Sequence, residues 1–76
     1  MKFIRIAEGI QGKEQDAFIS INHISAIQDE GDHRLIWADN LAYRTYEAVK
    51  DILLKISAEE RGFSYEGPKS KESGQT

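Results

Sequence analysis

The sequence predicts an α+β domain: a small antiparallel β-meander of four to five strands spanning Lys2 to Arg44, with one amphipathic helix packed on one face. Three observations predict it. Isoleucines alternate with polar residues through the first half of the chain, turn-forming clusters separate the alternating runs, and after Thr45 the apolar period lengthens from two to about 3.6.

Lys2 to Ala7 reads as the first strand, with Ile4 and Ile6 on one face and Phe3 and Arg5 on the other. Glu8 to Asp16 carries Gly9, Gly12 and several charges without an apolar period, which predicts a loop that only Ile10 could anchor. Alternation resumes over Ala17 to Ile21, with Ile19 and Ile21 inward and Phe18 on the second face. The spacing of Ile21, Ile24 and Ile27 then changes phase. That predicts a turn or bulge at Asn22-His23 before a strand continuing to Ile27, with one helical turn as the alternative. Asp29-Glu30-Gly31-Asp32 is a turn signal, since glycine accepts positive φ and aspartates bond nearby backbone. His33 to Ala38 follows as a strand with Ile36 and Ala38 on one face and Leu35 and Trp37 on the other. Asp39-Asn40 suits a tight hairpin into a short returning strand, Leu41 to Arg44.

The helix is predicted over Tyr46 to Ser57, where Val49, Ile52, Leu53 and Ile56 fall on one stripe. Thr45 is placed to cap it and Glu47 to complement the positive end of its dipole. Glu47 with Lys50, and Asp51 with Lys55, form pairs at helical spacing on the outer face. Gly62 supplies the stop. The expected organisation is a single domain over residues 1–58 and a mostly disordered tail over 59–76, in which Phe63 and Tyr65 are the last residues able to dock.

A chain of 76 residues makes a thin core, because a domain of this size buries only about 60% of its unfolded surface. Small scaffolds compensate with disulfides, a metal or a partner subunit. The absence of cysteine excludes disulfides and thiolate zinc sites, and leaves a partner subunit open. A net charge of -3 disfavours nucleic-acid binding, which needs a basic footprint. No apolar run is long enough to cross a membrane, and Lys2 and Arg5 break the opening hydrophobic stretch too early for a signal peptide, so the cytoplasm is expected.

No catalytic residue, cofactor site or metal site is predicted. Asp29, Glu30, Asp32 and His33 crowd one turn without the spacing of a metal loop. His23, between Ile21 and Ile24, reads as a partly buried histidine, and Ser20 and Ser25 lack the flanking pattern of an activated nucleophile. The face opposite the isoleucines is more informative. There Phe3, Phe18, Leu35 and Trp37 are the candidate partner-binding residues, for a non-enzymatic binding or regulatory module that self-associates or takes a protein partner. The alternative is stacking of single-stranded nucleic acid on Trp37 and Tyr43 with Arg5, Arg34 and Arg44 nearby.

From Met1 to Ile56 the pattern Phe3-Ile4-Arg5-Ile6, Phe18-Ile19-Ser20-Ile21-Asn22, Leu35-Ile36-Trp37-Ala38-Asp39-Asn40 and the helix carrying Glu47, Val49, Ile52 and Ile56 resembles the small bacterial FlbD-like proteins. The first loop is longer here, and Asn40 stands where that family usually has glycine. The resemblance implies an accessory role and transfers no catalytic residue.

Overall fold

The structure, a computed structural model, describes residues 2–62. Strands β1 (Phe3–Glu8), β2 (Gln15–Ser20), β3 (Ile24–Asp29), β4 (Arg34–Ala38) and β5 (Leu41–Thr45) precede helix α1 (Val49–Glu60). They form one antiparallel sheet in the order β2-β1-β5-β4-β3. This is the α+β meander with a C-terminal helix that the alternation predicts.

The sheet is two ribbons rather than one continuous surface. β1 and β2 pair along their whole length, from Phe3↔Ser20 to Glu8↔Gln15, while β3, β4 and β5 form consecutive hairpins. The ribbons meet at a single pair, Glu8↔Thr45, beside which the Gly9 N–H donates to the Arg44 carbonyl at 2.8 Å. The core unites them: Ile4, Ile6, Ile19, Ile36 and Ala38 pack with Ile52 of α1, and Ile24, Ile27, Tyr43 and Ile56 close its margin.

The phase change after Ile21 resolves as the helical alternative. Ile21–His23 is a 3₁₀ turn, and the irregularity in strand pairing comes later, between Ile24 and Ala26. Residues three apart eclipse on such a turn, so Ile21 and Ile24 both reach the core margin. At the Asp39-Asn40 hairpin Asp39 adopts φ 57°, a conformation that aspartate tolerates better than most side chains.

The helix departs from expectation at its start and in its phase. It begins at Val49 rather than Tyr46, because Thr45 still belongs to the sheet, paired with Arg34. Thr45 is fully buried, and its Oγ1 accepts from the Glu47 N–H at 3.2 Å; the N-cap position is Ala48, which offers no side-chain cap. The helix continues past Ser57 to Glu60, so residues 59 and 60, expected in the tail, are helical. Gly62, at φ 94°, ends it as expected. The rest of the tail expected over 59–76, from 63 onward and including docking of Phe63 and Tyr65, lies outside the described residues.

Ile52 is fully buried and Ile56 touches the core, but Leu53 is 52% exposed while Lys55 and Ala58 are buried. The buried stripe is therefore turned toward Lys55, and Glu47, expected to pair with Lys50 on the surface, pairs with Lys55 in a largely buried position. Lys55 Nζ donates to Glu47 Oε1 at 2.5 Å and to the Arg5 carbonyl at 2.6 Å, and Glu47 Oε2 accepts from the Ala7 N–H at 2.8 Å. Arg5 and Ala7 are among the β1 residues whose backbone groups point away from β2, into the gap where the ladder to β5 fails. Two side chains thus supply the partners that a longer β1–β5 ladder would have given, as buried backbone groups require.

Candidate partner interface

Residues directly opposite in an antiparallel pair share a face. Arg5 lies opposite Phe18 and Phe3 opposite Ser20, so Phe3 and Phe18 are diagonal neighbours on the outer face of the β1–β2 ribbon. Phe3 is 46% exposed and Phe18 65% exposed, both well beyond what a packed aromatic shows. An ion pair flanks them, Arg5 Nη1 to Asp16 Oδ1 at 3.4 Å. The patch therefore carries two rings and a charge of each sign on adjacent strands.

The other two expected partner-binding residues sit elsewhere. Leu35 and Trp37 share the outer face of β4, opposite Arg44 and Ala42 of β5, and both are half-buried. Trp37 Nε1–H donates to Gln28 Oε1 on β3. Following the strands from the Glu8↔Thr45 junction, Arg44 and Ala42 continue past the end of β1, whereas Phe3 and Phe18 lie back toward its start. The structure thus brings Phe3 to Phe18 and Leu35 to Trp37, and places the two pairs on different ribbons.

Comparison with protein-family models, curated proteins and solved structures finds no match.

The surface for stacking bases is divided by strand parity. Trp37 is opposite Ala42 and Ile36 opposite Tyr43, so Trp37 and Tyr43 point to opposite faces, and Tyr43 packs against the core. The nearby arginines are engaged: Arg34 Nε lies 3.4 Å from Asp29 Oδ1, and the Arg44 guanidinium stands 5.5 Å from the Tyr46 ring centroid. The histidines form two separate exposed pairs with carboxylates. His23 Nδ1 lies 3.1 Å from Asp39 Oδ2, tying the 3₁₀ turn to the β4–β5 hairpin, and His33 Nδ1 lies 2.6 Å from Asp32 Oδ1. The hydrogen bond from His33, aided by Coulombic attraction to it, holds the Asp32 carboxyl below its ordinary value of 3.8.

Among the described residues, no three His, Asp or Glu side chains come together as metal ligands, and no helix is long and apolar enough to cross a membrane. An open cleft of about 400 Å³ is lined by Lys2, Ile21, Asn22 and Glu60. Ser25 Oγ is engaged with the Trp37 carbonyl at 3.4 Å. Asp16, which the sequence places in the first loop, is the member of the candidate interface that sequence reasoning misses. The signal available was its period-two spacing from Phe18, which puts both on one face of a strand.

Proposed function

We propose that the chain is a non-enzymatic cytoplasmic binding module that associates with a second copy of itself through the β1–β2 ribbon. The observation that carries this reading is the exposed pair Phe3 and Phe18 on an edge ribbon of the sheet. Two features support a like partner. The core is small enough that burying further apolar area is a large gain. Arg5 and Asp16 give the same face both signs of charge, so a two-fold contact can set unlike charges together.

Sedimentation equilibrium from low micromolar to millimolar chain tests the proposal. The expected result is a mass that rises with concentration toward the dimer, and a Phe3→Ser, Phe18→Ser double variant that stays monomeric with its unfolding transition nearly unmoved. A native chain that remains monomeric throughout would sink it.

A further inference from the structure

We infer, resting on that self-association, that the contact is made edge to edge: β2 of one copy pairs antiparallel with β2 of a second copy, in a register centred on Phe18. The backbone geometry begins the case. Arg5 C=O, Ala7 N–H and Gly9 N–H all face away from β2, toward Lys55, Glu47 and Arg44. In an antiparallel pair, opposed residues turn their backbone groups either both toward each other or both away. Phe18 and Asp16, opposite Arg5 and Ala7, therefore direct their N–H and C=O groups outward at the sheet edge. Among the described residues these groups have no backbone partner.

The two sheet edges are treated differently. β3, at the far edge, carries a register shift between Ile24 and Ala26, the kind of irregularity that twists an edge away from pairing. β2 is regular through six residues and bears the most exposed ring of the sheet at Phe18. A regular edge strand that bears an exposed ring is a template for another strand.

The identity of the added strand follows from charge and register. A two-fold centred on Asp16 would set like carboxylates opposite one another, which is destabilising, and one centred on Ala17 would set each Phe18 against a carboxylate. Centring on Phe18 sets ring beside ring and places Asp16 across from Ser20 of the second copy. It also keeps inner face with inner face, so the sheet continues across the axis with Arg5 flanking each ring.

The chain contains no cysteine, so one introduced at Phe18 is unique. In the inferred register the two Phe18 positions form a hydrogen-bonded pair with Cα atoms about 5.5 Å apart, inside the range a disulfide spans. Full-length Phe18→Cys under oxidised glutathione should link into a covalent dimer, whereas Leu53→Cys, on the outer helix face, should not. A synthetic chain N-methylated at the Phe18 amide keeps the β1–β2 ladder and every side chain but loses the outward donor. Its dimerisation should weaken by about tenfold or more, from two lost backbone bonds per dimer. Native dimers that show neither the Phe18 cross-link nor the N-methyl effect would overturn edge pairing alone. They would put the contact elsewhere, as a face-to-face stack of the two outer faces. A native monomer would overturn the self-association reading itself.

Discussion

Asp32 and His33 are adjacent on an exposed turn, and their side chains close onto each other at 2.6 Å. The hydrogen bond from His33 favours the ionised carboxylate, so the folded pKa of Asp32 lies below 3.8. A lowered folded value stabilises the native state above the ordinary carboxylate pKa, and that contribution disappears as pH falls through the folded value. Because Asp32 is fully exposed the readout is its own titration rather than global stability. Carbon-detected NMR should place its midpoint below 3.8, and His33→Ala should return it toward that value; a native midpoint at or above 3.8 would refute the pairing. The turn itself was legible, since Gly31 and its flanking aspartates are turn formers; the Gly31 N–H donates to Asp29 Oδ1 at 3.0 Å. The neighbouring ion pair was not, because it depends on rotamers that no sequence period encodes.

At the scale of the element, helix α1 separates what periodicity reveals from what it hides. Ile52 is fully buried and Leu53 half exposed, although both fit the same apolar stripe. Ile52→Ala should therefore cost about 2 to 5 kcal/mol, and Leu53→Ala less than about 1 kcal/mol, measured by urea unfolding at constant m-value. Equal losses would mean that the helix packs in the phase the sequence suggests. The existence of the helix and of all five strands was readable, because alternation and turn residues act locally. The helix phase was not, because a pattern count treats Lys55 as polar while its methylene stem is buried and only its ammonium needs partners. The start was misplaced for a related reason: Thr45 has the chemistry of a cap, but its ladder to Arg34 keeps it in the sheet.

For the molecule as a whole, the decisive feature is that the ribbons share one backbone pair and are further joined by the core and by Glu47 and Lys55. Lys55→Met keeps the buried stem but strands the Glu47 carboxylate and the Arg5 carbonyl. It should destabilise by about 2 to 3 kcal/mol in thermal or urea unfolding, while Lys50→Met, on the exposed face, should be near neutral. A Lys55→Met chain as stable as the native one would show the clamp to be dispensable. The same division explains why the candidate site was half legible. Strand parity correctly put Phe3, Phe18, Leu35 and Trp37 on outer faces, but where β1 meets β5 is a long-range register that alternation does not carry. Each ribbon can assemble from hairpins of nearby residues, whereas the clamp joins positions 40 and 50 apart along the chain. Loop closure on that scale is slow compared with forming a hairpin. Sequence separation alone therefore favours a late closing of this seam, whose polar stitches are one lysine and one glutamate.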